Sequence, residues 1–117
     1  MLSFVPKGSR GDLIRYTESS GVRFQFKTGH GFYRAHQMPD RGKTDLRITG
    51  LTSDQIETEI VADILLFLDS GGELPVLGKD FRMPLQREVV IDRHRIAYRI
   101  VKLMDGTVSV GTYFALL

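Results

Sequence analysis

Two of the three histidines in this 117-residue chain lie in one short segment, FKTGHGFYRAH, at residues 26–36. His30 stands between two glycines, and Arg34 and His36 follow it. Imidazole titrates near neutrality, so both histidines are candidates for taking and giving protons. The glycines beside His30 would let a backbone or a phosphate approach closely. The alternative is that these side chains only make surface contacts or hydrogen bonds in a loop.

The same residue types do not make a persuasive metal site. Two histidines without a third histidine, a cysteine or a nearby pair of carboxylates lack the ligand set that zinc requires. The chain contains no cysteine, which excludes disulfides and thiolate metal ligands. It also lacks a phosphate-binding glycine loop, a dinucleotide fingerprint and the motifs GxSxG and HExxH. We therefore expect no metal and no cofactor.

A second polar group lies on predicted strands near residue 100. Asp-Gly at 105–106 separates two alternating apolar runs, which predicts a hairpin with a two-residue loop. That loop pairs Arg99 with Thr112 and Tyr98 with Tyr113. Arg99 then lies on an otherwise apolar face, where a guanidinium needs a partner. A structural carboxylate and a bound phosphate remain equal alternatives for that partner.

The chain has four tyrosines: Tyr16, Tyr33 and Tyr98 each lie beside an arginine in the sequence, and the fourth is Tyr113. Aromatic rings next to Arg or Lys can stack on unpaired bases. In a β-rich domain such rings more often pack in the core or at its rim.

The elements that must position these residues are predicted from periodicity. Residues 1–11 resemble a loose lead-in, and residues 13–27 alternate as a β-hairpin. An amphipathic helix is predicted over 53–69, with Thr52 and Gln55 forming a capping box. Its acidic side chains, Glu57 among them, are expected on its outer face near the positive end of the helix dipole. From residue 87 onward the pattern is that of strands.

Length and charge limit the class of protein. The chain length predicts one domain, 1–117. Residues 1–47 carry a net charge of +5, residues 48–80 carry −6 and residues 81–117 carry +3. This distribution fits either a mixed solvated surface or a basic face for a polyanion. No apolar run approaches the length of a membrane span, and the first residues lack the apolar core of a signal peptide.

Three stretches of the sequence resemble one family: GHGFYRAH, TGLTSDQIETEI and HRIAYRIVKLMDGTVSVGTYF. They are similar to C-terminal toxin domains of bacterial polymorphic toxins, of the contact-dependent growth inhibition and Rhs-repeat kinds. The likeness covers roughly residues 26–36 and 49–117, and the last stretch is its most specific part. Such domains belong to the barnase/EndoU/colicin/RelE-like group of ribonucleases. The implied fold is α+β, an antiparallel sheet of about four strands with helix 53–69 and N-terminal helical or hairpin material packed on it.

The resemblance also implies an activity and partners. The expected activity is metal-independent RNA cleavage, with tRNA as the expected substrate. The domain would be delivered as the C-terminus of a larger secreted or cell-surface protein and would act in the cytoplasm of a competing bacterium. The expected partner is a cognate immunity protein that blocks the active site in a heterodimer.

Residue roles follow from the matched positions and from the general needs of RNA cleavage. Such an enzyme needs a base for the ribose 2′-hydroxyl, an acid for the leaving 5′-oxygen and cations around the phosphorane. The catalytic candidates are His30, His36, Arg99, Thr112 and Tyr113. The substrate-binding candidates are Lys27, Tyr33, Arg34 and Tyr98.

Two other functions remain open from the sequence. The same basic residues could hold RNA or a protein in a non-catalytic binding module. The chain could also be a deoxyribonuclease toxin, which would typically require a divalent metal.

Overall fold

The computed structural model describes residues 2–8, 13–32, 46–78 and 83–116, and within them six strands form one mixed sheet. The strands are β1 Val5–Lys7, β2 Ile14–Ser19, β3 Val22–Phe26, β4 Leu85–Ile91, β5 His94–Lys102 and β6 Val108–Ala115. Their order across the sheet is β1-β2-β3-β6-β5-β4. A 3-10 helix, Leu46–Thr49, and the helix α1, Ser53–Asp69, lie between β3 and β4 in the sequence.

The α+β class and the long helix agree with the sequence prediction, but the sheet is larger and is not purely antiparallel. Within the segment predicted as a lead-in, Val5–Lys7 pairs with β2 as an edge strand. β3 pairs with β6 in parallel, and this pairing joins the first three strands to the last three. The pairing of β3 with β6 has no local sequence signal, because partners distant in the chain are selected by packing and not by periodicity.

The hairpin that joins β2 to β3 forms as the alternation predicted. Its two turn residues, Ser20 and Gly21, have φ values of 53° and 77°. Positive φ at both central positions is the geometry of the two-residue turn that matches the twist of paired strands. The turn therefore fixes the register in which Tyr16 faces Gln25.

The hairpin that joins β5 to β6 forms around Asp105-Gly106 but has a longer loop than the sequence predicted. The amide of Leu103 donates to the carbonyl of Thr107 at 2.7 Å, so the loop contains the three residues 104–106. Gly106 has a φ of 92°, as the last residue of a three-residue hairpin loop requires.

The extra loop residue is compensated by a bulge further along the hairpin. Val101 faces Ser109, whereas the two-residue loop had predicted Val110 as its partner. Between the Ile100 and Arg99 pairs, Gly111 has no partner, and this one-residue shift restores the predicted pairing of Arg99 with Thr112. As a result Ser109 shares the face of Arg99.

Val108 and Val110 point to the opposite face and are buried in the core. The two-residue loop predicted from Asp105-Gly106 would have placed both valines on the face of Arg99, and that part of the predicted register is wrong. A one-residue shift moves side chains from one face of a sheet to the other, and the bulge reverses that shift only beyond Gly111.

Helix α1 begins and ends where the sequence indicated. The Thr52 hydroxyl accepts from the amide of Gln55 at 3.1 Å, and the Gln55 side chain accepts from the amide of Thr52 at 2.8 Å. These bonds satisfy two amides that a helix start otherwise leaves unpaired. At the other end, Gly71 adopts a φ of 92° and reverses the chain.

The apolar stripe of α1 packs against one face of the sheet. Ile56, Ile60 and Ile64 are fully buried there against Phe24 and Phe26 of β3. Full burial of such a side chain contributes about 1.5–3 kcal/mol, so this layer provides most of the packing between helix and sheet. No described helix packs on the opposite face, which we call the open face, and the candidate site lies there.

Candidate active site

A tight turn after β3 positions His30. The amides of His30 and Gly31 donate to the carbonyl of Lys27 at 2.9 and 3.0 Å. The amide of Lys27 donates to the carbonyl of Val110 at 3.0 Å, which ties the turn to β6. Both the Lys27 and His30 side chains are exposed.

Gly31 serves the packing of this turn and not the approach of a substrate. A Cβ atom at Gly31 would lie 2.4 Å from a carbon of the Tyr113 ring, closer than such contacts allow. The sequence interpretation, that the glycines beside His30 make room for a phosphate, therefore does not explain Gly31. The ring of a buried tyrosine already occupies that space.

The open face carries a cavity of about 410 Å³ that brings the predicted residues together. Its polar lining residues are Gln25, Lys27, His30, Arg99, Ser109 and Thr112. We call this cavity the cationic cleft, because Lys27 and Arg99 line it and its described lining contains no carboxylate. His30 and Arg99, which lie far apart in the chain, thus border the same space.

Thr112 links the two sides of the cationic cleft. It is the cross-strand neighbour of Arg99, and its hydroxyl donates to the carbonyl of His30 at 2.9 Å. A threonine hydroxyl has one proton to donate. In this structure that proton goes to the His30 backbone, so Thr112 acts as a positioning residue. The catalytic role predicted for Thr112 would require this proton to be redirected to the substrate.

The Arg99 guanidinium is held in place, but no carboxylate among the described residues neutralises it. Its Nε donates to the side-chain oxygen of Gln86 at 2.9 Å, and the guanidinium carbon lies 5.5 Å from the centre of the Phe114 ring. Among the described carboxylates none lies within ion-pair distance of Arg99. The sequence left open a carboxylate or a phosphate as the partner of Arg99, and among the described residues the hydrogen-bond partner is the neutral amide of Gln86.

Tyr98 and Tyr113 do not line the cationic cleft. Both rings are fully buried on the opposite face, beneath α1. The Tyr98 hydroxyl donates to Asp63, and the Tyr113 hydroxyl donates to Glu57 at 2.6 Å. Burial raises the pKa of both phenols well above the usual value, and the neighbouring carboxylates add to the effect. The predicted roles in substrate contact and proton transfer are therefore not supported by this geometry, because strand alternation points both rings away from Arg99.

Glu57 is the polar residue whose importance the sequence prediction missed. It was expected on the outer face of the helix, but it is fully buried. One carboxylate oxygen accepts from the Arg15 guanidinium at 2.6 and 2.9 Å. The other accepts from the hydroxyls of Thr28 and Tyr113, each at 2.6 Å. A signal existed, because Glu57 lies four residues before Val61 and therefore on the apolar side of α1.

This buried cluster, Glu57 with Arg15, Thr28 and Tyr113, joins α1, β2, the His30 turn and β6. Desolvation raises the pKa of the Glu57 carboxyl, although the hydrogen bonds and Arg15 oppose that shift. Desolvation opposes the charged form of Arg15 as well, but Glu57 and Asp54 together raise its pKa. Both pKa values are raised, which disfavours the charged form of Glu57 and favours the charged form of Arg15. The Glu57 side chain has no exposed surface, whereas that of Arg15 is 11% exposed.

Three predicted site residues, Tyr33, Arg34 and His36, lie outside the described residues. In the described part of the chain no group of three or more His, Cys, Asp or Glu side chains is arranged to hold a metal ion. No helix there has the length and apolar character needed to cross a membrane.

Comparison of the chain with protein-family models, with curated proteins and with solved structures gives no match.

Proposed function

We propose that the chain is a ribonuclease domain that cleaves RNA, with tRNA as the expected substrate, at the cationic cleft without a metal ion. The observation that carries this proposal is the convergence of His30, Lys27 and Arg99 on one cleft whose described lining has no carboxylate. Transesterification of a phosphodiester requires a base, an acid and cations around the phosphorane, and the described lining supplies one imidazole and two cations.

The reaction would begin with attack of the ribose 2′-oxygen on the adjacent phosphorus. A base removes the 2′-proton, the bond from O2′ to phosphorus forms, and the bond from phosphorus to the 5′-oxygen breaks. An acid protonates the departing 5′-oxygen, and the products are a 2′,3′-cyclic phosphate and a free 5′-hydroxyl. His30 would serve as one of these two proton carriers, and His36 remains the candidate for the other.

Lys27 and Arg99 would stabilise the negative charge that develops on the phosphorane. The terminal amino groups of Arg99 make no hydrogen bond to any described residue, so they can address two phosphate oxygens together. Arg34 is proposed as a further phosphate contact and Tyr33 as a contact to a base.

The test is cleavage of a labelled oligoribonucleotide and of tRNA in excess chelator. We expect products with cyclic phosphate ends, and we expect His30→Ala to lower the rate by about 10²- to 10⁴-fold while RNA affinity is retained. His94→Ala is the matched control, because this third histidine begins β5 and does not line the cleft. A single 2′-deoxynucleotide at the cleaved position should block the reaction.

Three results would contradict the proposal. They are full activity of His30→Ala, a requirement for a divalent metal, and equal cleavage of DNA. If no RNA is cleaved but His30→Ala weakens RNA or protein binding, the cleft belongs to a non-catalytic binding module.

We further propose that the domain acts as a toxin on competing bacteria, after delivery as part of a larger protein, and that an immunity protein covers the cationic cleft. An acidic partner surface would complement Lys27 and Arg99, so its association rate should fall as salt is added. Charge-neutral variants of these two residues should flatten that salt dependence, and an unchanged dependence would show that the partner binds elsewhere. Expression of the domain in bacteria with and without the candidate partner tests toxicity directly.

A further inference from the structure

A second cavity, of about 810 Å³, adjoins the cationic cleft on the open face. The two cavities share Gln25 and Leu103 as lining residues. On its far side the second cavity is lined by Tyr16, the cross-strand neighbour of Gln25. A ligand held in the cationic cleft could therefore extend past Gln25 to Tyr16 without leaving the sheet surface.

Strand pairing sets the distance between the two cavities. Tyr16 pairs with Gln25, Gln25 with Ser109, and Ser109 with Val101. These three steps between neighbouring strands, each of about 4.8 Å, place Tyr16 about 14 Å from the strand that carries Arg99. A mononucleotide cannot occupy both ends of that span, whereas an oligonucleotide can.

The charges of the two cavities differ in a way that suits the two parts of a nucleotide. The described lining of the cationic cleft contains Lys27 and Arg99 and no carboxylate. The second cavity contains Arg23 together with the carboxylates Glu18 and Asp105. A phosphate is favoured in the first environment and disfavoured in the second, where a neutral base can still bind.

The polar groups of the second cavity also match those of a base. The half-buried ring of Tyr16 offers an aromatic surface, and the Gln25 amide beside it carries both donors and an acceptor. The Gln25 nitrogen donates to the Ser109 hydroxyl at 3.3 Å, which orients the amide along the row of residues that leads to the cleft. Stacking on an aromatic ring needs an unpaired base, because paired bases already stack on each other.

We propose that Tyr16 and Gln25 form a subsite for an unpaired base of single-stranded RNA that lies beyond the two nucleotides joined by the cleaved phosphate. This inference rests on the proposed function and adds its substrate class. The Tyr16 ring stacks on the base, and the cationic cleft holds the phosphate.

Binding of a fluorescein-labelled octamer of 2′-O-methyl RNA tests the subsite, because this probe lacks the 2′-hydroxyl and is not cleaved. Tyr16→Leu should weaken binding by about 5- to 150-fold, the loss that corresponds to one base–aromatic stack. Tyr16→Phe keeps the ring and should bind like the unaltered protein. With cleavable RNA, Tyr16→Leu should raise KM for an octamer and leave cleavage of a dinucleotide unchanged.

A second measurement does not depend on how well Tyr16→Leu folds. The chain contains no tryptophan, so Tyr16→Trp introduces a single indole. Its emission should be quenched by the single-stranded octamer but not by inorganic phosphate or by a fully paired RNA duplex. Val90→Trp, on an edge strand and 65% exposed in the unaltered chain, is the control whose emission should not change.

The outcomes separate this inference from the proposed function. Equal octamer binding by Tyr16→Leu, or unquenched emission from Tyr16→Trp, overturns the subsite even if His30-dependent cleavage is observed. Quenching by the duplex or by phosphate overturns it too. If the unaltered protein neither binds nor cleaves RNA, the proposed function is wrong and the subsite is rejected with it.

Discussion

Replacement of Glu57 by alanine should destabilise the fold more than any exposed substitution on the same helix. The change leaves the Arg15 guanidinium and the hydroxyls of Thr28 and Tyr113 without the acceptor they share. Removing one partner of a buried ion pair typically costs about 3–5 kcal/mol. Asp54 still accepts from Arg15, so we expect about 3 kcal/mol, at the lower end of that range.

Urea denaturation followed by circular dichroism gives the free energy of unfolding directly. A loss of about 3 kcal/mol lowers the urea midpoint by about 1 M or more at the slopes usual for small proteins. Glu59→Ala is the matched control, because it makes the same substitution on the same helix at an exposed position. Its effect should stay within about 0.5 kcal/mol.

The same substitution should also change the candidate site. Thr28 lies in the turn that carries His30, and Glu57 is the buried acceptor of its hydroxyl. Below the unfolding transition, folded Glu57→Ala should therefore cleave RNA more slowly than folded Glu59→Ala. Equal urea midpoints for the two variants would refute the reasoning. They would show that the buried carboxylate of Glu57 stabilises the fold no more than the methyl group of alanine does.

Three further predictions concern the same packing. Tyr113→Phe should lower the free energy of unfolding by about 1.5–3 kcal/mol, the usual loss for a hydrogen bond to a charged group. The folded variant should cleave RNA as fast as the unaltered protein. A loss of activity in the folded variant would indicate that Tyr113 belongs to the catalytic site. Gly31→Ala should lower the free energy of unfolding by about 1–3 kcal/mol, measured by thermal unfolding, because the added methyl group meets the Tyr113 ring. Gly111→Ala is the control and should be nearly neutral, because no atom lies within 4 Å of the added Cβ. Equal effects of the two substitutions would contradict the packing described here. The pKa of Glu57 in the folded protein lies above its ordinary value of 4.5. The contribution of Glu57 to the free energy of unfolding is therefore complete below pH 4.5 and is lost as the pH rises through the folded-state pKa. In urea titrations above about pH 4.5, the free energy of unfolding of the unaltered protein, relative to that of Glu57→Gln, should therefore fall as the pH rises. A rise would show that the pairing of Glu57 with Arg15 outweighs the desolvation of its carboxylate.

The parts of the fold that could be predicted from the sequence are those with local signals. Helix 53–69 has a capping box at its start and glycine at its end, and both hairpins have turn residues between alternating runs. The parallel pairing of β3 with β6 could not be predicted, because it joins strands separated by most of the chain. The bulge at Gly111 depends on a loop length that the Asp-Gly dipeptide does not determine.

Some features of the candidate site could likewise be predicted from the sequence, and others could not. The strand register placed Arg99 opposite Thr112 on one face, and the structure adds His30 to that face through a hydrogen bond that no periodicity encodes. The register also placed Tyr98 and Tyr113 on the other face, so their assignment to the site rested on family likeness alone. Glu57 was missed because a carboxylate in the first turns of a helix usually faces solvent.

The position of β6 in the middle of the sheet governs when the cationic cleft can exist. Translation produces β6 after all the other described strands, yet it separates β3 from β5 and carries the Thr112 bond to the His30 turn. A nascent chain that ends before Val108 already contains both His30 and Arg99, but it lacks the strand that brings them to one surface. The pairing of β3 with β6 joins strands far apart in the chain, and such long-range contacts form slowly. A nascent chain therefore has no assembled cleft until β6 has been synthesised.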